Sequence, residues 1–272
     1  DPDELVARLG TARGERLVAT VGTAPNFVFD LIRRHDIDCE AERSGWIQAC
    51  HSQKALDAAR ERAAQWQVRS ASVELVGAQE VTRLIGAEGY AGGLFDPRGG
   101  KLQPLSYARG LARAAQAAGA AVCGRSPVTS LAREASGWAL KTPRAKVRCD
   151  KVILATNAYS GELHRSLAHS LLPVASFVMA TEPLSEDLRC NILPEGHVTS
   201  DTRKLLTYSR LDGKGRLVIG GRGSYSDPAG PEDFQHVHDI LRRLFPRLGE
   251  PRVAFRWSGR VAVTPDFLPR VH

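Results

Sequence analysis

The chain has 272 residues, 43% hydrophobic and 25% charged, which is the balance of a folded globular protein rather than a disordered one. Its formal charge is +7, but the arginines are scattered through every segment; a nucleic-acid binder gathers basic residues on one element, so nucleic acid is not an expected partner. No run approaches the roughly 20 apolar residues of a membrane-spanning helix, so no membrane span is expected.

The five cysteines (Cys39, Cys50, Cys123, Cys149 and Cys190) form no C-x-x-C pair. Their odd count and irregular spacing point to reduced thiols in a cytoplasmic protein, not to a disulfide framework or a zinc site. The chain starts DPDEL, at Asp1 rather than Met, as a trimmed or truncated product would.

Residues 3–36 predict helix, since Leu5, Leu9, Leu17, Val21, Phe27, Val28, Leu31 and Ile32 recur at near-helical spacing. Gly10, Gly14 and Pro25 are expected breaks or loose joints. Trp46–Ala49 reads as a short strand. SQKALDAARERAAQWQVR, 52–69, reads as an amphipathic helix with Ser52 as N-cap, and GAQEVTRLIG, 77–86, as a short helix between glycines. Glycines then crowd Leu94 and Phe95, and Asp96-Pro97 begins a turn. Pro104 opens an alanine-rich helix to about Ala118, Gly119 ends it, and Ala120–Cys123 reads as a strand.

Two or three strands around a Ser136-Gly137 hairpin follow, with Trp138 facing a core. They lead into KVILATNAYS, 151–160. There the apolar run Val152–Leu154 stops at small residues, which predicts a buried parallel strand ending in a loop. Helix, strand, meander and buried strand over 104–156 make half of a doubly wound nucleotide-binding sheet with a β-meander inserted. In such sheets ligands sit at the carboxyl ends of the strands.

The second half reads as antiparallel. It has a long strand at 171–183, strands at 203–209 and 215–221, a helix at 231–245, and a last strand at 251–263 broken by Gly259. His236 and His238 fall two apart in that helix and point to different faces, so no metal site is expected. The expected fold class is α/β with α+β character: a partial Rossmann-like layer interleaved with a mixed, mainly antiparallel sheet flanked by helices.

GGLFDPRGGKLQPLSYARGLARAA, SPVTSL, KVILATNAY, LVIGGR and FRWSGRVAVTPDFLP, in that order, resemble the FAD-dependent D-amino-acid-oxidase-like (DAO) oxidoreductases. The likeness runs through nearly the whole chain and is nearest the branch containing gamma-glutamylputrescine oxidoreductase. It implies FAD as cofactor and oxidation of an amine or amino acid. It also implies that Ala155, Thr156 and Asn157 let the backbone approach the cofactor. Val128 would lie along the adenine side, and Asp266 in a loop near the flavin.

The resemblance further implies substrate-domain helices and strands over 1–97 and a partial FAD-binding domain over 98–170. The substrate-binding sheet and helix would span 171–257, with a return towards the FAD-binding domain over 258–272. The family opens with a strand, a G-x-G-x-x-G turn and an acidic residue about 20 positions on, which hold the pyrophosphate and ribose. No G-x-G-x-x-G occurs in this sequence. The expectation is an interior, inactive piece of such an enzyme.

The resemblance implies substrate contacts from the sheet facing the flavin, with Trp46, Tyr208, Arg210, Arg222 and Trp257 as candidates. Arg222 follows Gly220-Gly221, which admit a close ligand, and arginine can hold a carboxylate through two parallel bonds. Amino-acid-oxidising relatives carry an arginine five positions before the residue matching Asp266; here that position is Val261, with Arg260 on the opposite strand face. An amine such as a gamma-glutamyl-polyamine is therefore the expected small-molecule substrate. Flavin amine oxidation needs little acid–base machinery, so no catalytic side chain is singled out. A homodimer is one expected assembly. The rivals are a non-catalytic binding module that has shed the cofactor site, and a dehydrogenase passing electrons to a carrier.

Overall fold

A computed structural model describes residues 1–223 and 230–269; the last three positions of the expected 258–272 segment lie outside the described residues. Helices α1 (Pro2–Leu9) and α2 (Thr11–Arg34) meet at Gly10, whose φ of 78° closes α1. Of the three expected breaks only Gly10 is one: Gly14 and Pro25 lie inside α2. Next come β1 (Trp46–Cys50) and α3 (Gln53–Val68). The Ser52 hydroxyl accepts the Ala55 N–H and caps α3, as its sequence predicts. Then follow β2 (Glu74–Gly77), α4 (Ala78–Ile85), β3 (Gly92–Asp96) and α5 (Pro104–Ala117).

A separate antiparallel sheet contains β4 (Ser130–Glu134), β5 (Gly137–Lys141) and β6 (Lys146–Cys149). Glu134 ties it together by pairing with Lys146 (2.7 Å) and Arg148 (3.0 Å). Trp138 does not face a core; it is half-buried with the Arg133 guanidinium 5.1 Å from its ring. Two further expectations fail here. Ala120–Cys123 forms no strand, and Val152–Leu154 is not a buried parallel strand. Ile153 is 90% exposed. A parallel strand is held only by bonds to its neighbours, and among the described residues no strand pairs with 151–156.

The rest of the chain completes the large sheet. It comprises α6 (Arg165–His169), β7 (Leu172–Pro183), α7 (Glu186–Asn191), β8 (Val198–Asp201), β9 (Thr207–Leu211), β10 (Arg216–Arg222), α8 (Gln235–Leu244) and β11 (Val253–Val263). The strand expected at 203–209 begins only at Thr207, as β9; residues 203–206 form its turn from β8, an unanticipated strand, and Asp201 organises that turn. The Asp201 carboxylate is buried, pairs with Arg203, and accepts the backbone N–H of Thr207 at 3.0 Å. Gly259 does not break β11. That strand pairs with β7 along its length, Gly259 faces Ser176, and the irregularity sits at Val253/Phe255 instead.

The sheet order is β11-β7-β10-β9-β8-β1-β3-β2, and only the β1–β8 pair is parallel. Side chains alternate across a strand, so the sheet has two faces. One buries Ile47, Phe177, Met179, Leu217 and Ile219 against Val81 and Ile85 of α4 and Val237 and Leu241 of α8. On the other, α3 covers only the β1–β3 end, packing Ala59 and Ala63 on Cys50 and Leu94. From β8 to β11 that second face carries only a small cluster of its own, Val178, Ala180 and Val218 packed with Tyr208.

Candidate functional site

The partly uncovered face is where the strands bring the expected substrate residues. Register places Gln48, Ser200, Tyr208, Gly220, Val178 and Trp257 in one row across β1, β8, β9, β10, β7 and β11. Two residues along the strands, the next row holds Arg222, Ser176 and Gly259. The row on the other side holds Arg210, Val218, Ala180 and Phe255, with Trp46 opposite Val198 at the β1–β8 end. Trp46, Tyr208, Arg210, Arg222 and Trp257 therefore share one face, although they lie up to 211 positions apart in the chain.

Tyr208 is the best-fixed of them. Its hydroxyl and that of Ser176 are 2.6 Å apart, and its ring lies against Gly220, where a Cβ would come within 2.5 Å of it. Burial pushes the phenol pKa up, and the Ser176 bond offsets part of that rise. Trp46 is half-buried and donates its indole N–H to Ser200 at 3.1 Å. Trp257 is 45% exposed across the row from Tyr208, with only Gly220 and Val178 between them. The floor between these two aromatics is thus low and apolar. At the Arg222 end, His236 sits 3.1 Å from the Arg222 carbonyl.

The expected cofactor-facing loop docks on this face's edge. Asn157, at φ 49°, accepts the N–H of Ala158 (2.8 Å) and of Ala262 on β11 (2.7 Å) through its side-chain oxygen. Tyr159 accepts the Arg260 N–H at 2.8 Å. Thr156 and Ser160 pair their hydroxyls at 2.7 Å, and Ala155 stays exposed. Asp266 accepts the Leu268 N–H at 3.2 Å in the turn after β11. Val128 is half-buried in the segment leading into β4, on the small sheet rather than the large one. The loop and the Asp266 turn thus meet β11, whereas no hydrogen bond joins Val128 to them among the described residues.

Two contributors went unnoticed in the sequence, Ser176 and Tyr159. Ser176 is the lone hydroxyl in the apolar stretch PVASFVMA, and Tyr159 is an aromatic two positions after Asn157. Each carried a signal, but neither partner was local.

A family model described as FAD dependent oxidoreductase (DAO) matches residues 6–272. Among curated proteins, the chain is 29% identical over 273 residues to gamma-glutamylputrescine oxidoreductase of Escherichia coli K12, covering 99% of this chain and 63% of that protein. It is 28% identical over 274 residues to a Haemophilus influenzae protein named probable oxidoreductase OrdL, covering 98% and 62%. The chain thus spans about three fifths of the length of these relatives. Among solved structures, glycine oxidase from Geobacillus kaustophilus superposes with a TM-score of 0.75 at 20% identity, over 93% of this chain and 68% of that one. L-proline dehydrogenase from P. horikoshii gives 0.75 at 16% identity, over 91% and 69%.

Proposed function

The chain belongs to the DAO family of FAD-dependent oxidoreductases, and we propose that it takes part in oxidising the C–N bond of an amine held on the partly uncovered face of the large sheet. The observation that carries this reading is the Tyr208–Gly220–Val178–Trp257 row, which ends beside the docked 155–160 loop. That loop fits one wall of a cofactor site: small exposed residues whose backbone a flat ring can approach, anchored through Asn157 and Tyr159. The backbone of Ala155, Thr156 and Asn157 would hold FAD there, with Val128 and Asp266 as further contacts. The cofactor supplies the hydride acceptor.

The chain's own residues position the amine and keep it dry. Tyr208, seated over Gly220, and Trp257 flank the reacting carbon, with the small side chain of Val178 between them. The raised Tyr208 pKa keeps the phenol neutral. A phenolate there would hold the substrate as ammonium, whose nitrogen lone pair is not free for oxidation. Val261 lies on this same face where amino-acid-oxidising relatives carry an arginine. That favours an amine such as a gamma-glutamyl-polyamine, the substrate type in the name of the Escherichia coli relative.

A module that had shed its cofactor site would present a hydrophilic surface. Instead Ile153 (90%), Tyr159 (65%) and Phe267 (83%) are exposed around the loop and the β11 turn. Visible absorption after adding FAD and gel filtration tests the reading. Against the inactive piece that the resemblance implied, the docked 155–160 loop leads to the expectation of a flavin band that stays with the chain and bleaches with a gamma-glutamyl-polyamine without oxygen; a chain that retains no flavin refutes the reading.

A further inference from the structure

We infer that Arg210 is an anchor for a carboxylate at the far end of the substrate, so that the site selects long amines with a distal anion; this rests on the cofactor lying beside the 155–160 loop. Most arginines near the sheet are committed. Arg62, Arg69, Arg83, Arg98, Arg203 and Arg216 each pair with a carboxylate. Arg210 is half-buried, and its guanidinium makes no hydrogen bond or ion pair among the described residues. Burial lowers its pKa, opposed by the charges of Asp212 and Glu40.

Those two carboxylates are occupied elsewhere. Glu40 accepts the Gly213 N–H at 3.0 Å, and Asp212 accepts the Lys214 and Arg216 N–H groups at 2.9 Å each. The guanidinium is not sealed in either. Nε of its neighbour Arg216 is a buried donor without a partner, whereas no Arg210 nitrogen is. A partly desolvated guanidinium with its fork unused and an opening to the face is suited to a carboxylate arriving from outside.

Position sets the length of the ligand. Arg222, Ser176 and Gly259 form the row beside Tyr159, and Val218, opposite Arg210, is four residues from Arg222 along β10. At roughly 3.3 Å per residue the two rows are about 13 Å apart along the strands, and three strand spacings of roughly 4.8 Å from β9 to β11 put Arg210 about 20 Å from the Tyr159 edge. The residues beneath that span are Gly220, covered by the Tyr208 ring, and the buried Val178, Val218 and Ala180, so no charged group underlies a methylene chain there. An α-amino acid, with amine and carboxylate on one carbon, cannot reach both ends.

Tryptophan fluorescence reads binding here because Trp46 and Trp257 flank the face. The probes are ω-amino carboxylates with one to nine methylenes and n-alkylamines of matched length. The long amino carboxylates should bind about 10-fold or more tighter than their alkylamine counterparts, and the one-methylene probe should gain nothing. In Arg210→Gln the advantage of the carboxylate should vanish, with circular dichroism confirming the fold. Equal binding of both series by the parent chain overturns the anchor without any variant, and so does an advantage that survives in Arg210→Gln. The titration needs no FAD. A chain that retains no flavin yet shows the Arg210-dependent preference loses the oxidation reading and keeps the anchor. A chain that binds flavin without the preference loses only the anchor.

Discussion

Replacing Gly220 by alanine should destabilise the chain, although alanine is intrinsically the better strand residue by about 0.5–1 kcal/mol. A Cβ at 220 comes within 2.5 Å of the Tyr208 ring, whereas comfortable carbon contacts lie near 3.5–4.0 Å. The ring must therefore retreat by about 1 Å. It is held by the 2.6 Å contact with the Ser176 hydroxyl and by packing on Val178 and Val218. Overpacking of this kind costs about 1–3 kcal/mol, and the lost hydrogen bond about 0.5–1.5 kcal/mol. After the gain in strand propensity, the net loss is about 0.5–4 kcal/mol. Urea unfolding of Gly220→Ala, Tyr208→Ala and the double variant measures it. With the ring removed, alanine at 220 should become neutral or stabilising, a coupling of at least about 1 kcal/mol. Additive effects, or a stabilising Gly220→Ala in the otherwise intact chain, would show that Tyr208 does not lie over Gly220 and would undo the proposed floor of the site.

Leu241 is fully buried between α8 and the sheet, so Leu241→Ala should cost about 2–5 kcal/mol in urea unfolding; a loss under about 1 kcal/mol would mean that α8 does not cover this face. Tyr90 is held up at about 12 from its ordinary 10, first by burial and then by the Asp201 charge. A raised folded-state pKa leaves its stabilisation intact below pH 10 and removes it as pH rises towards 12. Unfolding free energies should therefore fall between those pH values, and less steeply in Tyr90→Phe. An identical slope in both chains would contradict the burial of that phenol.

Helices and edges were legible wherever a local rule sufficed. Ser52 caps α3 and Pro104 opens α5, because a capping hydroxyl and a fixed φ act within one turn of chain. The same local reading failed where partners were distant. Val152–Leu154 has the composition of a buried strand, but burial requires neighbouring strands that no described residue provides. Gly259 looks like a break by composition, yet the ladder to β7 carries the strand through it. The β8–β9 turn was missed because a buried Asp201 organises it rather than glycine or proline.

The sequence by itself determined the family and the mainly antiparallel character of the second half. Alternation along each strand is a local property, so which residues could share a face was already written there. Only the tertiary structure decided which of them meet. It set Tyr208 over Gly220 and against Ser176, docked Asn157 and Tyr159 on β11, and placed Arg210 four residues along the strands and three strands across from that edge. Register between strands follows from the packing of one buried face as a whole, and no short stretch of sequence contains it.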